Sequence, residues 1–267
     1  MVRKTAPIGI IGGSGFYDLA SNLKEVKVET PYGRPSEKVA LGKIVDKKVA
    51  FLPRHNKTHD LPPHQINYRA NIWALHSLGV RQIVTATACG SLQAEIKPGD
   101  FVILDQFVDR TRGRKDTFYN GPISTHISSV DPYCPSLRKL ACQTGKELKI
   151  SLHSRGTVVV VNGPRFSTKA ESDWFAKMGW HVINMTQYPE VILAREKEIC
   201  YTALALVTDW DAGLRAGKKV KPVSAQQVGK IFKKNIDQVK KLILAMIKNW
   251  SLKTTCSCQQ SLKEARF

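Results

Sequence analysis

The feature that most restricts this chain is its rhythm. Apolar runs of strand length recur along it, helix-length amphipathic stretches lie between them, and most runs end in glycine, a small residue or a polar one. The strand candidates are Ile8 to Ile11, Val39 to Val45 with Lys48 to Leu52 as a hairpin pair, Arg81 to Thr87, Phe101 to Leu104, Gly156 to Val161, Val182 to Met185 and Thr202 to Thr208. Helix patterns cover Gln65 to Leu78, closed by Gly79, then Leu137 to Leu148, a stretch opened by the capping box Thr168-Lys-Ala-Glu171, Glu190 to Glu198, and Gln226 to Trp250. Strands alternating with helices imply crossover connections and a sheet covered on both faces. The reading is a single α/β domain with a central mixed, mostly parallel, twisted barrel-like sheet flanked by helices. Residues 1–250 form the domain and 251–267 a C-terminal tail. With 42% apolar residues in 267, a sizeable core is within reach.

In such sheets ligands collect beyond the carboxyl ends of the strands, so chemistry is sought there. The first run ends in Gly12-Gly13-Ser14-Gly15, which suits close approach of an anion to backbone amides or a simple tight turn. The next ends in Pro53-Arg54-His55, where a guanidinium fork and a neighbouring histidine can donate to phosphate. A third ends in Thr85-Ala-Thr87-Ala88-Cys89-Gly90-Ser91, small residues with hydroxyl and amide donors. Three ends that offer donors and no carboxylate fit a bound phosphate dianion. Asn184-Met185-Thr186 ends another run. In Asn162 to Thr168, Phe166 can stack on a flat ring and Ser167 can bond it, or Phe166 is core and the hydroxyls are caps. The last apolar run ends in Asp209-Trp210-Asp211, two acids in a basic protein, suited to general-acid work or to reading a base edge. Cys89 has no evident partners and reads as a packed thiol. His55, His59 and His64 are fragmented by Pro53, Pro62 and Pro63, so no metal is assigned.

The net charge of +19 points either to steering of anionic substrates or to nucleic acid. Much of it sits in Arg110 to Lys115, in Lys218 to Lys221, and on the last helix at Lys230, Lys233, Lys234, Lys240 and Lys241, opposite an apolar stripe. Without interleaved aromatics or a nucleic-acid motif, no nucleic-acid partner is assigned. No run of about 18 apolar residues occurs, so no membrane span is expected, and the residues before Ile8 are too short for a signal peptide; the expected compartment is the cytoplasm. The six cysteines are scattered apart from Cys256-Ser-Cys258, which reads equally as two incidental thiols or as a redox element.

Together the segments G-G-S-G, T-P-Y-G-R-P-S, P-R-H, N-Y-R-A-N-I-W-A-L, A-C-G-S-L, D-Q-F-V-D-R-T, G-P-R-F-S-T-K-A-E-S, N-M-T and T-D-W-D resemble the methylthioadenosine phosphorylases within the trimeric purine nucleoside phosphorylase family, from about Ile8 to the last helix. The resemblance implies a phosphate site at Ser14, Arg54, His55, Thr87, Ala88 and Thr186. It implies a purine site at Phe166, Ser167, Asp209 and Asp211, with Asp209 as the catalytic acid. Met185, His126 and Val228 fall at the ribose and its 5′ group. It further implies inorganic phosphate as co-substrate, no metal or organic cofactor, and a trimer or dimer of trimers whose subunits share side chains. Asp209, where 6-oxopurine-selective relatives carry Asn, points to adenine. Ala225 and Gly229 are smaller than the family's 5′ pocket pattern, which keeps broader 5′ or 6-oxopurine specificity (adenosine, inosine) as the alternative. The Cys256-Ser-Cys258 tail resembles thermophilic members with intrachain disulfides, with Cys134 and Cys200 as a similar pair.

Overall fold

A computed structural model describes residues 6–13, 19–212 and 223–266. Its strands are β1 (Ile8–Gly12), β2 (Ser21–Val26), β3 (Val39–Ile44), β4 (Lys47–Pro53), β5 (Gln82–Ser91), β6 (Phe101–Ile103), β7 (Gln106–Arg110), β8 (Leu152–His153), β9 (Thr157–Val161), β10 (Val182–Asn184) and β11 (Cys200–Asp209). Its helices are α1 (Tyr68–Ser77), α2 (Pro135–Glu147), α3 (Lys169–Lys177), α4 (Gln187–Glu196) and α5 (Ala225–Asn249). The strands make one eleven-stranded mixed sheet in the order β2-β3-β4-β1-β5-β10-β9-β7, with β11 on the other side of β5, then β6 and β8. This is the single α/β domain that the alternation of strands and helices implies.

β5 is the hub. Gln82 to Thr85 pair in parallel with β1 on one edge, and the other edge runs along almost the whole of β11. β1 stops at Gly12, and β10 takes over the vacated edge only at Gly90 and Ser91, running antiparallel. Between those two partners the edge of β5 from Ala86 to Cys89 is left unclaimed by strand pairing. The sequence places the end of this strand at Thr87. The structure extends it to Ser91, because β10 and β11 supply ladder partners to the small residues that read as a loop. Strands β2, β7 and β8 have no clear signal in the sequence. β2 is exposed along nearly its whole length and β8 has two residues, so neither carries an apolar run.

The helices start where their caps allow. α1 begins at Tyr68 rather than Gln65: Asn67 caps it by accepting from the Ala70 amide, and Pro63–Gln65 forms a separate 3-10 turn. α3 has the expected capping box, with the Thr168 hydroxyl accepting from Glu171 N and the Glu171 carboxylate accepting from Thr168 N at 2.8 Å. α5 buries Val239, Leu242, Ile243, Met246 and Ile247 against β11 and α2, while Lys230, Lys233, Lys234 and Lys241 face solvent. Its last carbonyls are capped from outside, because Lys47 Nζ donates to Ile247 O and Lys248 O at 2.7 and 2.8 Å. Beyond α5 the tail is packed: Cys258 and Ala265 are buried, and the chain pairs with residue 125 through Arg266. No described helix is long and apolar enough to cross a membrane.

Candidate active site

The gap along β5 opens into a cavity of about 720 Å³. Its floor is Ala86, Thr87, Ala88, Cys89 and Gly90 of β5, its sides come from the ends of β4, β10 and β11, and α5 covers it. Gly13 lines it where β1 ends; Ser14 and Lys218 to Lys221 lie outside the described residues.

One end is a donor cluster built around Arg54. This guanidinium is 2% exposed. Its Nε and Nη2 donate to the Glu190 carboxylate at 2.7 and 2.8 Å, Nη2 also meets Thr85 Oγ1, and Nη1 donates to Ala86 O at 3.3 Å. Burial works against the charge, but Glu190 more than offsets it and the guanidinium's pKa is raised. A guanidinium has five N–H donors, so these bonds leave one on Nη1 for an anion. Tyr201 Oη steadies Glu190 at 2.6 Å. Glu190, fully buried at the start of α4, has no visible part in the sequence motif, where it reads only as the first residue of a helix.

His55 behaves differently from the donor that the Pro-Arg-His string suggests. Its Nδ1 lies 2.8 Å from Leu61 O, and a carbonyl can only accept, so Nδ1 carries the proton. Burial and the Arg54 charge push its pKa down to about 4, so at neutral pH the ring is uncharged and Nε2 is an acceptor. The His59 ring stacks on it at 4.5 Å between centroids. Thr186 occupies the N-cap of α4 but makes no capping bond. Its hydroxyl faces Thr87 Oγ1 at 3.4 Å, and Asn184 Nδ2 donates to that same Thr87 oxygen at 3.3 Å.

The other end is acidic. β11 carries a bulge between Val207 and Asp209 opposite Cys89 and Gly90, which turns the Asp209 side chain toward the cavity. Asp209 is 5% exposed. Oδ2 accepts from the Thr208 hydroxyl at 2.7 Å and Oδ1 from the Asp211 amide at 2.8 Å. Burial pushes its pKa up to about 6, with the Asp211 charge adding to the rise, while these two hydrogen bonds oppose it. The Asp211 carboxyl is also raised, by burial. Asp211 Oδ2 and Ser167 Oγ are buried and make no close hydrogen bond among the described residues, although the Ser172 and Ser167 hydroxyls lie near enough to the Asp211 carboxyl to oppose part of its rise. Buried polar atoms without partners cost about 1–3 kcal/mol each, so a pair of them lining one cavity marks a place where a polar ligand belongs. Phe166 lies beside them, 38% exposed, with its ring available for stacking.

Met185 separates the two ends. Gly163 allows this: it holds φ +67°, and a Cβ there would meet Met185 Sδ at 2.6 Å. Arg114 supports the same wall, donating to Met185 O at 2.8 Å, to Asn162 O at 3.1 Å and to Tyr188 O. In the sequence Arg114 reads as part of a basic surface stretch; in the fold it is a structural brace. Along α5, Ala225, Val228, Gly229, Phe232 and Ile236 fall on one face over the cavity. Gly229 leaves open space, and Phe232 and Ile236 supply apolar bulk one and two turns further on.

Thus Arg54, His55, Thr87, Ala88 and Thr186 come together at one end, Phe166, Ser167, Asp209 and Asp211 at the other, with Met185 and Val228 between them and the covering helix. His126 does not join them. It is exposed on a loop whose amide donates to Ala265 O at 2.7 Å, outside the cavity lining. Cys89 lines the floor, but burial raises its thiol pKa, as a packed thiol requires.

Comparison with known proteins gives a consistent picture. Residues 7–248 match the family model described as the phosphorylase superfamily. An S-methyl-5′-thioadenosine phosphorylase of Saccharolobus solfataricus is 50% identical, over 98% of each chain. A crystal structure of methylthioadenosine phosphorylase from an antarctic soil metagenomic library superposes with a TM-score of 0.92 at 39% identity, covering 99% of this chain and 93% of that one. A methylthioadenosine phosphorylase from Schistosoma mansoni in complex with adenine gives a TM-score of 0.90 at 36% identity, covering 97% and 98%.

Proposed function

The chain belongs to the phosphorylase superfamily, and from that premise we propose that it cleaves 5′-methylthioadenosine with phosphate, releasing adenine and 5-methylthioribose 1-phosphate. The observation that carries this reading is the polarity of one cavity: a braced donor cluster at one end, and a buried carboxyl with a pKa of about 6 beside unpartnered polar atoms at the other. Relatives named for the same substrate support it.

Phosphate enters at Arg54, Thr87, Ala88 and Thr186, with Ser14 the further donor that the family resemblance implies. Hydrogen phosphate carries one proton, and the acceptor Nε2 of His55 takes the P–OH bond while Arg54 and the hydroxyls donate to the other oxygens. The purine lies on Phe166 with its edge toward Ser167, Asp209 and Asp211. The C1′–N9 bond breaks as a phosphate oxygen bonds to C1′. The sugar becomes cationic on the way, and the phosphate beneath it is the stabilising charge. The electron pair left on the base is relieved by a proton from Asp209 at N7. The proton lost from hydrogen phosphate equals the one adenine carries away, so Asp209 is restored. At pH 7 a group with a pKa of about 6 is protonated in roughly one molecule in ten, enough for a donor near its optimum.

A carboxyl pair faces an exocyclic amino group well and a 6-oxo group poorly, which favours adenine. Phe232, Ile236 and Val228 receive the methylthio group, and the space at Gly229 sets the size limit there. His126 reaches a sugar only from a neighbouring subunit, which fits the trimer or dimer of trimers we assign. The transfer needs no metal or organic cofactor, and the cytoplasm supplies both substrates.

The test is adenine release from 5′-methylthioadenosine with and without phosphate, with adenosine and inosine run alongside. The expected result is phosphate-dependent release led by methylthioadenosine. Release independent of phosphate would make the chain a hydrolase, and faster turnover of inosine would overturn the reading of Asp209.

A further inference from the structure

Four cysteine sulfurs from three distant parts of the chain meet at the start of β11, and none of them lines the cavity. Cys134 is the N-cap of α2, Cys200 opens β11, and Cys256 and Cys258 flank the start of the 3-10 turn Ser257–Gln260 in the tail. All four Sγ atoms lie within 4.8 Å of one another. Cys256 Sγ is 3.6 Å from Cys134 Sγ and 3.4 Å from Cys200 Sγ. Cys134, Cys200 and Cys258 are buried, and all six cysteines are free.

We propose that Cys134, Cys200, Cys256 and Cys258 form a structural tetrathiolate site for a zinc-type divalent cation, which fastens the C-terminal tail to the sheet. A tetrahedral ion with metal–sulfur bonds of about 2.3 Å has sulfurs about 3.8 Å apart. The observed separations of 3.4 and 3.6 Å need only a few tenths of an ångström of adjustment. A disulfide needs about 2.05 Å, and Cys256 faces two sulfurs at nearly equal range instead of one. Soft thiolates with no carboxylate among the ligands select zinc over magnesium or calcium. Four protein ligands close the coordination sphere, so the site is structural and not catalytic. Each ligand binds as thiolate, so loading one ion releases four protons to solvent.

The surroundings suit a charged cluster. Cys134 stands at the N-cap of α2, the positive end of the helix dipole, and the Arg195 guanidinium lies close enough to Cys258 for its charge to act there. Arg195 is itself fixed by Asp131 O at 2.9 Å and by Ser128 O, and its carbonyl accepts from Ser261 of the tail at 2.7 Å. From there the tail runs to Ala265 and Arg266, which hold the loop at Thr125 and His126. The ion thereby anchors a segment that positions the His126 loop. None of the four cysteines lines the nucleoside cavity, so this inference stands apart from the proposed reaction.

The test uses the full-length chain, expressed with zinc and purified without chelator. Elemental analysis is expected to find one zinc per chain. Cys256→Ser and Cys258→Ser should lose it, and Cys142→Ser, whose sulfur donates to Ser154 O and is not among the four, should keep it. After chelation in denaturant without reductant, all six cysteines should titrate as thiols. Replacement by cobalt should give thiolate-to-metal charge-transfer absorption, and chelation should lower the melting temperature without variants being needed. A chain that takes up no zinc or cobalt even after reduction and anaerobic reconstitution overturns the proposal. So does a purified chain whose mass and thiol titre show these four sulfurs paired as disulfides.

Discussion

Gly90 should be among the least replaceable residues of the cavity, though it offers no chemistry of its own. A Cβ built there would lie 2.9 Å from Asp209 Oδ1, 3.1 Å from Asp211 Cβ and 3.1 Å from Ile183 Cγ2. The carboxylate cannot swing away freely, because the Asp211 amide holds Oδ1 at 2.8 Å and the Thr208 hydroxyl holds Oδ2 at 2.7 Å. In Gly90→Ala the acid must therefore yield as a unit by about 0.5 Å to restore an ordinary contact of 3.4 Å. A misplacement of about 1 Å costs a catalytic group roughly 100-fold, so half of that predicts a fall of about tenfold in kcat/KM, near 1.4 kcal/mol. Overpacking should add a loss of about 1–3 kcal/mol in stability. Steady-state adenine release from methylthioadenosine at saturating phosphate, with a thermal melt of the same sample, measures both. The phosphate KM should stay at the wild-type value, because the donor cluster lies at the other end. Wild-type kcat/KM in a folded Gly90→Ala protein refutes the idea that the position of Asp209 limits the reaction. An equal loss in phosphate affinity locates the damage elsewhere.

Asp209→Asn should lower kcat/KM for methylthioadenosine by about 100-fold or more, the usual share of a general acid, and should improve inosine relative to it. In the wild type the rate should rise as pH falls through about 6, the pKa of Asp209, and that limb should vanish in the variant. Stability gives an independent reading. A carboxyl raised from about 3.9 unfolded to about 6 folded favours folding fully below pH 4, and that contribution is lost as pH rises to about 6. His55, pushed down to about 4, acts in the opposite direction over a similar range. The difference between wild type and Asp209→Asn in denaturant melts should therefore shift by about 2–3 kcal/mol between pH 4 and 6; a flat difference would show that Asp209 has an ordinary pKa. Glu190→Gln should leave the Arg54 charge buried without its partner, destabilise the fold by about 3–5 kcal/mol, and raise the phosphate KM more than it lowers kcat. An unchanged phosphate KM in folded Glu190→Gln would remove Arg54 from the phosphate site.

What was legible in the sequence, and what was not, divides by the range of the forces involved. The α/β architecture follows from local periodicity, and the chemistry at the strand ends follows from side-chain type, so Arg54, Thr87, Phe166 and Asp209 stand out before any fold is known. Glu190 could not stand out, because its role depends on being packed against Arg54 from a helix far along the chain. The same holds for Arg114, which reads as surface charge until the backbone oxygens of Met185 and Asn162 are brought to it. The protonation of His55 is hidden in the sequence for a related reason: the string Pro-Arg-His suggests two donors, yet Leu61 O takes one histidine nitrogen, and burial and the Arg54 charge suppress the imidazolium. The end of β5 also lies further along the chain than its apolar run suggests. Thr87 and Ala88 lie in mid-strand, and the cavity exists because β1 ends at Gly12 before β10 begins pairing at Ile183. That mismatch between neighbouring strands is a property of register, which no single segment encodes. It also explains why the floor residues are so small. An edge left open between two partners exposes backbone to the ligand, and Ala86, Ala88 and Gly90 keep it accessible, while the bulge in β11 brings the acid of the last strand over that same opening. The site is thus one consequence of a sheet whose central strand outlasts its neighbour.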